Sequence, residues 1–162
     1  MARAFLKFNI SSVPDGAIGI TAVLELYTGV NGVPVQHFVD VYSHNDTAWD
    51  EELRLPSSNW AGTKKLDTEW VASNERWYEW NVTNAIVEAI SNSTSVVTFI
   101  VMYPYGEDKL PVSFTSKDDT LTKMPKLTIT WTSVIPEFPF FMMPLVMVAT
   151  TAVSFIIRKR CR

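Results

Sequence analysis

The residues of this chain whose types suit a chemical role are aromatic, acidic and amide side chains, and they point to binding rather than reaction. Six tryptophans, five tyrosines and nine phenylalanines are spread over 162 positions. A flat aromatic ring can stack on the apolar C–H face of a sugar while a few polar neighbours bond its hydroxyls, a common division of labour in small-ligand sites. Trp60, Trp70, Tyr103 and Tyr105 are the candidates for such an exposed platform. The same four residues suit satellite packing beneath a long loop equally well. Trp80 and Trp131 sit on strand faces among apolar neighbours and read as core.

Acidic groups cluster at Asp46, Asp50, Glu51 and Glu52, and again at Glu107, Asp108, Asp118 and Asp119. Oxygen-rich loops of this kind can hold Ca²⁺, and the second group is the candidate metal site. Neither group has EF-hand spacing, and a solvated acidic surface is the competing reading. Catalysis is poorly supported. His37 and His44 have no Ser or Cys nucleophile motif beside them and no metal-ligand pattern. His37 reads as a packed strand residue. A glycosidase needs two facing carboxylates at a set separation, and no motif here selects a pair. The expectation is a non-enzyme.

Four Asn-X-Ser/Thr sequons begin at Asn9, Asn45, Asn81 and Asn92. Asn45 and Asn92 fall in expected loops and are the candidate glycosylation sites. Asn81 reads as a cap at a strand-to-helix junction.

The elements that must position these groups are short. Ala4, Leu6, Phe8 and Ile10 alternate with Lys7 and Asn9, a half-buried strand. Pro14-Asp15-Gly16 is a turn. Ile18, Ile20, Ala22, Leu24 and Leu26 form a long one-faced strand, and Asn31-Gly32 suits a tight hairpin turn into Val35, His37, Val39 and Val41. Residues 43–65 are polar and read as a long loop. A strand resumes at Trp77, with Trp80 and Val82 on one face and Tyr78 and Asn81 on the other or near its end. Thr83 is the expected N-cap of a short helix with Ile86, Val87 and Ile90 as its apolar stripe. Residues 96–102 are continuously apolar, as in a central strand covered on both sides. Val112 with Phe114, then Leu127 with Ile129 and Trp131, alternate again, and Pro125 opens the last strand. The expected fold is an all-β, antiparallel, jelly-roll-like β-sandwich with one short helix.

Residues 138–157 carry no charge and are followed at once by Arg158-Lys159-Arg160-Cys161-Arg162. About 20 such residues cross a hydrocarbon core of about 30 Å, and the basic cluster marks the cytoplasmic side. A single C-terminal transmembrane helix is expected, with a buried core helix as the alternative. The reading divides the chain into a sandwich over 1–133, a Pro-containing linker over 134–139, the span, and a basic tail over 158–162. The sandwich then faces outward, anchored at the cell membrane. Residues 1–157 carry ten basic against 17 acidic groups, a net of −7. Such acidity argues against nucleic acid and disfavours unaided capture of an anionic polysaccharide. The lone Cys161 permits no intrachain disulfide. An outside domain needs an export leader, yet Met1-Ala2-Arg3 leads straight into a strand. The chain is therefore expected to be the C-terminal piece of a longer protein, unless Met1 is not the natural start.

Several segments, in order, resemble the DNRLRE domain, a β-sandwich related to the disaggregatase carbohydrate-binding modules. They are residues 3–17, then Ala22-Val23-Leu24-Glu25-Leu26-Tyr27, Trp49-Asp50-Glu51, residues 80–87 from Trp80-Asn81-Val82-Thr83, Phe114-Thr115-Ser116, and residues 125–131 ending in Trp131. Residues 135–162, with Pro136-Glu137-Phe138-Pro139 ahead of the span, resemble the C-terminal anchors of archaeal surface proteins. The resemblance implies a non-catalytic, carbohydrate-binding or adhesive surface domain whose partners are polysaccharide or envelope glycans. A structural spacer and the ancillary domain of a larger surface enzyme, with its catalytic part upstream, are the alternatives. A strand-accepting filament subunit is a more distant one. The resemblance gives Trp49 the task of pinning the long loop. It also implies one or two strands ahead of Arg3, so the sandwich is expected to expose unpaired amides and an apolar groove. The family's Asp before Val-Thr is Asn81 here, and its Trp-Asn pair is Asn59-Trp60 after an inserted Pro56-Ser57-Ser58.

Overall fold

Among the described residues of the computed structural model, the apolar and polar patterning builds seven strands and one helix. The structure describes residues 3–45, 47–49, 63–103, 112–118 and 122–132. In chain order the elements are β1 (Arg3–Asn9), β2 (Ile18–Tyr27), β3 (His37–His44), β4 (Lys64–Val71), β5 (Trp77–Asn81), α1 (Thr83–Ser91), β6 (Val96–Met102) and β7 (Lys126–Thr132). They form two sheets, ordered β1-β6-β3-β4 and β5-β2-β7, and every pairing is antiparallel. Residues 1–132 make one compact unit. The apolar residues 138–157, with the expected span, lie outside the described residues, and no described helix is long and apolar enough to cross a membrane.

The inner faces meet in a core of Ala22, Leu24 and Leu26 from β2, Tyr78 and Trp80 from β5, Val39 and Val41 from β3, and Val97, Phe99 and Val101 from β6. Trp80 is fully buried, and its indole N–H donates to the Val39 carbonyl at 3.0 Å, tying the two layers together. Burying a ring of this size while satisfying its one donor removes the usual penalty of a buried polar atom. Helix α1 lays Ala85, Ile86 and Ala89 on the same core. Along one side the layers are joined at β4 and β5, where the Asn81 amide donates to the Asp67 carboxylate at 2.7 Å. Among the described residues β1 pairs with β6 alone and β7 with β2 alone.

Six local expectations are corrected. Asn31 does take positive φ, at 64°, but β2 and β3 lie in different sheets, so the turn is a crossing between layers rather than a hairpin. Residues 64–71 are strand β4, and its first two residues, Lys64 and Lys65, fall within the expected loop over 43–65. The strand is charged on both faces because β4 is an edge strand, wet on one side. Tyr78 shares the inner face with Trp80, as a two-residue period demands. Thr83 is the first helical residue rather than the cap: its hydroxyl accepts from the Ala22 amide, and Asn81 Oδ1 accepts from the Thr83 amide. Trp131 is 38% exposed near the end of β7, whose last three residues are all exposed, so it is not a core residue. In place of a strand at Val112–Phe114 there is a single bridge between Phe114 and Thr28.

Candidate functional site

The outer face of the four-stranded sheet is set by register. Phe38, Asp40, Tyr42 and His44 are the residues of β3 that point away from the core. Phe38 lies opposite Trp70; Asp40 lies between Met102 and Thr68; Tyr42 lies between Ile100 and Lys65. On the far side Phe5 faces Ile100 and Lys7 faces Thr98. Strand pairing thus gathers residues as far apart in sequence as Phe5 and Ile100 onto one surface.

This surface has a covered half and an open half. Trp49 covers Thr98, which is 1% exposed, and its indole N–H donates to the Thr98 hydroxyl at 3.0 Å. Its ring meets Phe5 edge-on at 6.0 Å, and Lys7 Nζ donates to its carbonyl at 2.7 Å. Trp49 therefore pins the start of the long connection, as the resemblance implied. The open half holds Phe38, 53% exposed, and Trp70, 43% exposed, with ring centroids 4.6 Å apart and tilted by 57°. Two bulky apolar rings left in water side by side mark a contact surface.

One ladder step away sits a polar cluster around Asp40, itself only 4% exposed. Its Oδ1 accepts from the Thr68 hydroxyl at 2.6 Å and pairs with Lys65 Nζ at 2.8 Å, while Oδ2 accepts from the Tyr42 hydroxyl at 3.2 Å. Burial pushes the Asp40 pKa up, but hydrogen bonds from Lys65 and Thr68, the Lys65 charge and the Tyr42 hydroxyl outweigh it, and the carboxyl stays below its usual range. Burial and the neighbouring Asp40 charge together push the Tyr42 hydroxyl up, so it remains a neutral donor at neutral pH. Lys65 is half exposed and presents a cation at the edge of the cluster. The arrangement is an exposed pair of apolar rings with hydroxyl and ammonium groups at its margin. It offers hydrogen bonding and stacking, and no activated nucleophile.

The expected platform residues separate here. Trp70 is on the open face, with Phe38 as its partner. Tyr103 is 7% exposed and stacked on His37 at 4.1 Å, so it is a core residue and not a platform, because it leaves β6 on the inner side. Trp60 and Tyr105 lie outside the described residues. So do Glu107, Asp108 and Asp119 of the expected Ca²⁺ group; Asp118 is exposed and its amide bonds Ser116. Among the described residues there is no group of three metal-ligating side chains. Asn45 and Asn92 are both exposed. Phe38 was missed because nothing in its local sequence distinguishes it; only its register with Trp70 does.

Beside the edge of β1 lies a second feature, a cavity of about 650 Å³ between the sheets, lined by Leu6, Phe8, Leu26 and Phe114, with Thr115 among its polar groups. It is large enough for a small ligand or an added strand.

The model of carbohydrate-binding module family 96 matches residues 1–131. The chain belongs to that family. Family 96 membership covers both sheets, the helix and every residue of the open aromatic face. No curated protein matches the chain.

Proposed function

We propose that this family 96 module is a non-catalytic, outward-facing surface domain that holds a glycan on the Phe38–Trp70 face. The observation that carries the reading is the exposed ring pair set one ladder step from the Asp40–Lys65–Thr68–Tyr42 cluster. A pyranose ring has apolar C–H faces and a hydroxyl rim. The tilted rings meet the first, and Tyr42 and Lys65 reach the second. The glycan belongs to a polysaccharide or to a cell envelope. The apolar run at 138–157 and the basic tail anchor the domain at the cell membrane as a single span, with the C-terminus cytoplasmic, in the manner of the archaeal anchors it resembles. The cavity beside β1 is where a strand from upstream domains of the same protein adds. A pure spacer has no use for exposed aromatics, and the open pair therefore favours binding over that alternative.

The test is a glycan-array screen of residues 1–134, with and without Ca²⁺, after a cooperative melt has established folding. Trp70→Ala and Phe38→Ala should each weaken the selected glycan about thirtyfold, the loss of a contact worth about 2 kcal/mol. Both variants should melt close to wild type, because about half of each side chain is already in water. A folded protein that binds no glycan in either condition would return the reading to the spacer.

A further inference from the structure

Three of the four sequons converge in space. Asn9 ends β1 and lies opposite Val96, the first residue of β6. Asn92 closes α1, four positions before that same strand. Asn45 follows His44, whose partner on β6 is Thr98. All three asparagines are exposed. Asn45 and Asn92 also line one pocket of about 210 Å³, so they are neighbours although 47 positions separate them. The aromatic face opens at the other end of β3. From Phe38 to His44 the strand runs about 20 Å.

We infer that Asn45 and Asn92 are N-glycan acceptors, and that their glycans clothe the end of the sandwich opposite the Phe38–Trp70 face. The co-reactant is an oligosaccharide linked to a polyprenyl phosphate or diphosphate, delivered by a membrane-bound transferase. The Asn Nδ2 forms a bond to C1 of the first sugar. The C1–O bond to the lipid phosphate breaks, the amide loses one proton, and the lipid phosphate leaves with the electron pair. No oxidant or reductant is involved. A bulky, hydrated chain needs an acceptor clear of the core, and both side chains meet that condition. A glycan at Asn9, the third sequon of this end, would also shield the end of edge strand β1 from pairing with another chain.

The inference rests on the outward-facing reading of the module, and its test is independent of that reading. The full chain is expressed behind a secretory leader in a glycosylating eukaryotic host, and its peptides are read by mass spectrometry. Glycopeptides at Asn45 and Asn92 are expected, and Asn45→Gln and Asn92→Gln should each remove one glycan from the intact mass. A protease-resistant, exported chain with both asparagines bare overturns the assignment, whether or not the module binds sugar. The second readout compares the array-selected glycan's affinity for the glycosylated chain and the double Gln variant. Equal affinity supports placement away from the binding face, and weaker binding by the glycosylated chain overturns it. If no array glycan binds at all, the mass readout alone decides the acceptor assignment.

Discussion

Asp40 is the residue whose removal should tell most about how the open face is held. Its carboxylate is 4% exposed and joins β3 to β4 through Thr68 at 2.6 Å and Lys65 at 2.8 Å, with Tyr42 at 3.2 Å on its own strand. A buried hydrogen bond to a charged acceptor contributes about 1.5–3 kcal/mol, and the Thr68 bond qualifies. The Lys65 side chain is half exposed, so its ion pair contributes only about 0.5 kcal/mol. The Tyr42 bond is long and adds about as little. Asp40→Ala should therefore cost about 3 kcal/mol, which for a domain of this size lowers Tm by about 12 °C. Asp40→Asn keeps an acceptor for Thr68 but loses the charge, and should cost about half as much. Chemical denaturation at pH 7, followed by circular dichroism, measures both. The pH dependence has a definite sign. The folded pKa lies below the ordinary value of 3.8, so the charge contribution is fully present above about pH 4 and is lost as pH falls through the folded pKa. The gap between wild type and Asp40→Asn should close on acidification below that point. An Asp40→Ala protein within about 0.5 kcal/mol of wild type at pH 7 would refute the claim that this cluster holds the two strands, given the cost ordinarily attached to such bonds.

Three further outcomes are expected. Trp49→Phe keeps the ring that covers the sheet but leaves the Thr98 hydroxyl without its indole donor, and should cost about 1–2 kcal/mol by thermal melt. Gly32→Ala should cost about 1–3 kcal/mol in denaturant, because a Cβ there would stand 2.6 Å from the Ser113 carbonyl, which is backbone and cannot swing away. Tyr103→Phe should leave stability unchanged or raise it by about 1 kcal/mol, since its hydroxyl is buried with no hydrogen-bond partner among the described residues; a loss above that size would contradict its placement.

Much of the fold was legible because the strand period is local. The alternation in 4–10 and 18–26, the unbroken apolar run of 96–102 and the helix stripe at Ile86 each report a face that must be buried, and the structure buries most of each, leaving Ala4, Ile18 and Val87 exposed. β4 was not legible. Lys64, Lys65, Asp67 and Glu69 make it polar on both faces, which water tolerates at the edge of a sheet but which hides the strand period in the sequence. Sheet membership was not legible either, because a turn such as Asn31-Gly32 fits a hairpin and an interlayer crossing equally well. The site divides in the same way. The sequence offered Trp70 among its candidates for an exposed ring, and Trp70 is exposed. Phe38 became its partner, and Tyr103 was withdrawn into the core, only through register, since a shift of one residue sends a side chain to the opposite face. What the chain determines by itself is which residues must leave water. Which of those left in water stand together is decided by pairings between distant strands, and these exist only once both sheets have formed.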